Sequence, residues 1–156
     1  MRSTICFCFC VLLTNAPSEL PAADPLGGMQ LLEGYKHVPL QGIDSIVGEI
    51  KKEGGLKIVY DIGPVPKPGQ PRLGGSFTDR PKNTPAKLRR WYREQTVNNQ
   101  PVHLAYLKDH TLLVSYPEKG VNFSTAVKTP DEMAEALLMI LTYPNPVEMD
   151  DPEPKK

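Results

Sequence analysis

PVHLAYLKDHTLLVSYPEKGVNFSTAVKTPDEMAEALLMILTYP, residues 101–144, reads as three short antiparallel strands followed by one apolar helix. Val102 to Lys108 and Thr111 to Tyr116 are rich in β-branched, aromatic and leucine residues, which suit a pleated, packed surface. The polar segment between them predicts a hairpin with Asp109 and His110 as its two turn residues. That register sets Leu107 opposite Leu112, Ala105 opposite Val114 and His103 opposite Tyr116, with Val102, Leu104, Tyr106 and Leu113 on the other face. Apolar residues on both faces predict central strands, covered on each side. Pro117-Glu118-Lys119-Gly120 is a second turn, where Gly120 can take a positive φ. Val121, Phe123, Thr125 and Val127 then alternate with Asn122, Ser124, Ala126 and Lys128, the pattern of a strand wet on one face.

The helix that follows carries its own start signal. Thr129 can cap, Pro130 suits the first helical position, and Glu132 stands three residues after Thr129 to complete a capping box. Met133, Leu137, Ile140 and Leu141 form a stripe that Ala134, Leu138 and Tyr143 widen, so the helix is expected to lie across a sheet. Pro144 and Pro146 end it.

Upstream, Ile43 to Gly63 reads as a second hairpin. Pairing Ile50 with Leu56 puts Ile46 opposite Tyr60 on a buried face and Glu49 opposite Lys57 outside, an opposite-charge pair. Tyr35 to Gly42, interrupted by Pro39, is an edge strand or loop. Gly63 to Pro71 has proline at 64, 66, 68 and 71 and reads as a stiff extended loop. Arg72 to Thr78 reads as a short strand kinked at Gly74-Gly75, and Asp79 to Asn83 as loop. Thr84-Pro85 repeats the opening at Thr129-Pro130, and Leu88, Trp91 and Tyr92 fall at helical spacing. A short basic helix from Pro85 to about Gln95 is therefore expected, with Lys87, Arg89, Arg90 and Arg93 on its outer side and a polar turn over Thr96–Gln100.

The first 23 residues read as an export signal: Arg2, the nine-residue apolar run Ile5 to Leu13, then small residues. Nine residues are too few to span a bilayer. All three cysteines, Cys6, Cys8 and Cys10, lie inside that segment, so the exported chain is expected to be free of disulfides and thiol chemistry. Residues 24–34 read as a linker, 35–143 as one α+β domain and 144–156 as an acidic, apolar-poor disordered tail. The expected fold is an antiparallel sheet of about five or six strands, with the C-terminal apolar helix and the shorter basic helix packed on it.

Formal net charge is zero, which argues against broad nucleic-acid or anionic-membrane binding. The glycine pairs at 54–55 and 74–75 fit neither a P-loop nor G-x-G-x-x-G, and Ser76 lacks the second glycine of a nucleophile elbow. No sequence motif implies a cofactor or a metal, and none names catalytic residues. His103, Asp109 and His110 are the residues that a small hydrolase would use, and Asp44 with Asp61 the carboxylates. The cluster Lys87-Leu88-Arg89-Arg90-Trp91-Tyr92-Arg93 is the binding candidate, since guanidiniums among aromatic rings grip anions; the competing reading is a plain solvated face. In general layout the chain resembles small exported α+β proteins of bacterial envelopes, a likeness that implies no activity. The sequence thus points to an exported, periplasmic or secreted protein with no membrane span after processing. Its role is expected to be non-enzymatic binding of an anionic ligand or another envelope protein, with a small exported His/Asp hydrolase as the alternative.

Overall fold

The fold was obtained as a computed structural model, which describes residues 26–63 and 79–143. The described residues form one antiparallel sheet of seven strands, larger than the five or six expected. The strands are β1 (Lys36–Leu40), β2 (Ile46–Lys51), β3 (Lys57–Ile62), β4 (Arg89–Val97), β5 (Gln100–Leu107), β6 (Thr111–Tyr116) and β7 (Val121–Ala126). Their order is β1-β2-β3-β7-β6-β5-β4, so β3 pairs with β7 and the two edges are β1 and β4. A one-turn helix, α1 (Arg80–Asn83), and the longer α2 (Pro130–Ile140) complete the described elements. No helix among the described residues is long and apolar enough to cross a membrane. The segments read as export signal, Pro-rich loop (64–71), Gly-kinked strand (72–78) and acidic tail lie outside the described residues.

Helix α2 begins as its sequence dictates. The Thr129 side chain accepts from the Glu132 amide, Glu132 reaches back to the Thr129 amide, and Pro130 opens the first turn. Ala136, Met139 and Ile140 are buried, and Met133 and Leu137 pack against the core. Leu138, counted in the apolar face, is 62% exposed, so the buried stripe is narrower than its composition implies. The sheet face beneath the helix carries Ile58, Tyr60, Val102, Leu112, Val114, Tyr116, Val121 and Phe123, all essentially inaccessible. Burying each such large side chain contributes roughly 1.5–3 kcal/mol, so this layer supplies most of the core. The stretch expected as a linker, residues 24–34, contributes too, since Leu26 and Met29 are buried. Next to it Tyr35, the first residue of the expected domain, is buried and its hydroxyl donates to Glu135 on α2 at 2.6 Å.

Both expected hairpin registers shift. Between β5 and β6 the partners are Tyr106 with Leu112, Ala105 with Leu113, Leu104 with Val114 and His103 with Ser115. The turn holds three residues rather than two: His110 takes φ 68° and its amide bonds the Leu107 carbonyl at 3.2 Å. A left-handed third residue closes a longer hairpin loop, and the one-residue slip moves Val114 onto the helix-covered face. Between β2 and β3, Ile50 pairs with Ile58 and Gly48 with Tyr60. That is a two-residue slip, which keeps the same residues on each face, but Ile46, expected buried, is 53% exposed at the start of β2. Glu49 still holds Lys57 at 3.1 Å beside Lys51 at 3.3 Å. Gly48 is required here, because a Cβ would overlap the Tyr60 ring, which is fully buried and hydrogen-bonded to His37 Nε2 at 2.6 Å.

The basic helix expected over 85–95 is not formed. Ala86–Leu88 is a single 3-10 turn, and Arg89 to Val97 is strand β4. Thr84 caps the end of α1 instead, donating its hydroxyl to the Arg80 carbonyl at 2.8 Å. Three residues on stands Lys87, not the glutamate of a capping box. The polar turn expected over 96–100 shrinks to Asn98-Asn99, both at positive φ, the geometry of a two-residue hairpin that Asn tolerates. Likewise Arg80–Asn83, expected as loop, is helical because Asp79 caps it and Pro81 stands in its first turn.

The end of α2 is tied to the sheet by the Tyr116 hydroxyl, which donates to the Ile140 carbonyl at 2.9 Å. Burial, with the nearby Tyr143 adding to it, pushes the Tyr116 phenol up to about 12. A raised phenol keeps its proton in the fold after the unfolded chain has lost it. The contribution is therefore complete below about pH 10 and is lost as pH rises toward about 12. Tyr116→Phe is expected to cost about 0.5–1.5 kcal/mol at neutral pH. In urea unfolding the gap to the parent should narrow between about pH 10 and 12; a gap constant over that range would exclude the tie.

Candidate functional site

Two polar assemblies stand out on the described surface. The first is the outermost strand, β4. It is positioned by its pairing with β5, Trp91 against Tyr106, Arg93 against Leu104 and Gln95 against Val102, and by the tight Asn98-Asn99 turn. A bulge between Arg89 and Trp91 breaks the alternation at its start and splits the arginines. The Arg89 guanidinium lies 4.8 Å from the Tyr92 ring centroid, and that of Arg90 lies 5.4 Å from the Tyr106 ring. Arg90 Nη2 also approaches His110 Nε2 at 3.3 Å and the Lys108 carbonyl at 3.4 Å. Arg93 Nη1 donates to the Tyr92 carbonyl at 3.0 Å. Arg90 and Arg93 are exposed, Arg89 is half-buried, and Lys87 is exposed on the preceding 3-10 turn. A shallow groove of about 250 Å³ runs between Ala86, Arg89, Arg90, Trp91 and Tyr92. The four basic residues picked from sequence therefore share one edge, but not one helical face.

Chemically this edge suits anions. A guanidinium held by a ring or a backbone carbonyl loses little freedom on binding, and its remaining donors can serve an anion. Glu94 is the one carboxylate on β4, and it is occupied. It accepts from the Tyr92 hydroxyl at 2.7 Å and lies 3.5 Å from Lys82, which together hold it below the usual carboxylate range. Burial, then the bond to Glu94, pushes the Tyr92 phenol well up.

The second assembly is centred on Asp79, expected from sequence only as the start of a loop. Its Oδ1 accepts the Ser115 hydroxyl at 2.8 Å and the Lys82 amide at 3.3 Å, and its Oδ2 bonds His103 Nδ1. His103 is 9% exposed and lines an open cleft of about 520 Å³ with Glu94, Gln95, Thr96 and Pro101. Ser115 donates to the carboxylate and not to the imidazole, so the order of a Ser-His-Asp relay is missing. With both oxygens engaged, Asp79 fastens α1 onto β5 and β6.

The residues proposed for hydrolysis do not converge. Asp109 accepts the Thr111 amide at 3.0 Å within its own turn, a bond that holds its carboxyl below the ordinary value. His110 bonds Tyr106 and Arg90 at the hairpin tip, whereas His103 bonds Asp79 on the opposite face. Asp44 is exposed in a bend before β2, and Asp61 lies on β3 beside Asn122. Among the described residues no group of His, Cys, Asp and Glu is arranged to hold a metal. No family model, no curated protein and no solved structure matches the chain.

Asp79→Ala removes the helix cap and leaves buried His103 and Ser115 without their acceptor. The expected loss is about 2–4 kcal/mol in denaturant unfolding. A loss under about 0.5 kcal/mol would show that Asp79 fastens nothing.

Proposed function

We propose that the protein is an exported, non-enzymatic binding protein that holds an anionic partner along β4. The observation that supports this is the composition of that edge: Arg89, Arg90 and Arg93 lie on a nine-residue outermost strand, with two guanidiniums resting on aromatic rings. The formal net charge of the whole chain is zero, so attraction for an anion is concentrated at this edge rather than spread over the surface. Export rests on the N-terminal apolar run and on the restriction of cysteine to it.

Arg90 and Arg93 are the exposed pair, so reversing them leaves the core intact. On an immobilised polyanion at about 0.15 M salt, where charges farther apart than about 8 Å are screened, the parent should be retained. Arg90→Glu with Arg93→Glu should flow through, with unfolding midpoint and circular dichroism unchanged. Flow-through of the parent under those conditions would overturn the reading.

A further inference from the structure

Resting on that reading, we propose that the partner is an extended acidic peptide that adds to β4 as a further antiparallel or parallel strand. The two edges of the sheet are built differently. Edge β1 is five residues long and contains Pro39, which has no amide hydrogen to offer. Both are devices that natural sheets use to blunt an edge. Edge β4 is nine residues long, contains no proline, and pairs regularly from Trp91 to Val97 after its bulge. Among the described residues no element pairs with its outer side. A regular strand presents its outward amides and carbonyls at every second residue, so this edge offers a ladder about four residues long.

The flanking side chains set the chemistry of what fits. Arg90, Trp91 and Arg93 lie toward the α2 side of the sheet, as the stacking on Tyr106 and the pairing with Leu104 show. Arg89 and Tyr92 lie toward the other side. An incoming strand sets its alternate side chains beside these two rows. Carboxylates at alternate positions then meet Arg90 and Arg93, while the remaining side chains run past Tyr92 and Arg89. A basic strand is repelled. A second copy of the chain is disfavoured too, because it brings the same three arginines, with Glu94 alone to offset them, against themselves. Backbone bonds supply affinity in this mode and side-chain alternation supplies selectivity.

Trp91 is the chain's one tryptophan, so its fluorescence reports on this edge directly. The probes are a synthetic peptide of about eight residues alternating Glu and Thr, its Gln analogue, two versions N-methylated on either alternate set of amides, and inorganic polyphosphate. The Glu peptide should shift Trp91 emission and saturate. The Gln analogue and one of the two N-methylated peptides should bind at least about tenfold more weakly, a difference of about 1.4 kcal/mol. Equal binding by both N-methylated peptides would overturn strand addition while leaving anion binding standing. So would binding of polyphosphate without binding of the peptide. No response to any probe would overturn both. Concentration-dependent dimers in sedimentation without peptide, abolished by Arg93→Glu, would make a second copy the occupant and end the proposal.

Discussion

The pairing of β3 with β7 is the contact on which the rest of the structure depends. It joins two separate antiparallel runs, β1 to β3 and β4 to β7, into one sheet, and it does so across the centre of the core. Tyr60 stands opposite Phe123, Ile62 opposite Val121 and Ile58 opposite Thr125. Such a long closure is costly in chain entropy, and the offset comes from burial, since Ile58, Tyr60, Val121 and Phe123 are all inaccessible. Tyr60 has room because Gly48 sits across from it, and its ring lies between those of His37 and Phe123. Once β3 closes on β7, the chain has no choice about its edges. The strands farthest from the junction, β1 and β4, must be the outer ones.

The two faces then diverge. One is covered by α2 and by the segment around Leu26 and Met29, and is almost wholly apolar. The other carries His103, Ser115 and Asn122, a polar row whose partners come from the short segment at Asp79 and Arg80. That row is costly to bury unless every group is matched. Asp79 matches two of them at once while capping α1, which explains why one carboxylate holds so much of this face. Its engagement also commits the neighbouring Ser115 hydroxyl to the carboxylate, so a Ser-His-Asp order is missing beside this cleft. The chemistry left exposed is that of β4, arginine on aromatic.

What could be read from the chain depended on whether several local signals agreed. Helix α2 was legible in detail, because Thr129, Pro130 and Glu132 all mark one start. The strands β2, β3 and β7 were legible from their alternation, and β5 and β6 from being apolar on both faces. The register of β5 with β6 was not, since His110 adopts a left-handed conformation that a histidine does not advertise, and that slip follows from it; in the β2–β3 turn the left-handed residue is Gly54. Strand β4 was misread for a physical reason: an edge strand is wet on most of both sides, so the alternation that marks a strand fades, and Leu88, Trp91 and Tyr92 fell by chance at helical spacing. Two signals stood against the helix, Lys87 where a capping glutamate belongs and Asn98-Asn99 placed to turn a hairpin. Asp79 was invisible because its partners His103 and Ser115 are 24 and 36 residues away. The basic residues were found, but their arrangement along an edge is a product of the sheet.

Amide hydrogen exchange along β4 tests most directly whether this basic stretch is an open sheet edge. From Trp91 to Val97, amides bonded to β5 should be protected and the intervening ones should exchange at nearly the rate of an unstructured peptide, giving protection with a period of two residues. Uniform protection across those residues would contradict it, since it would mean a helix or an edge already covered.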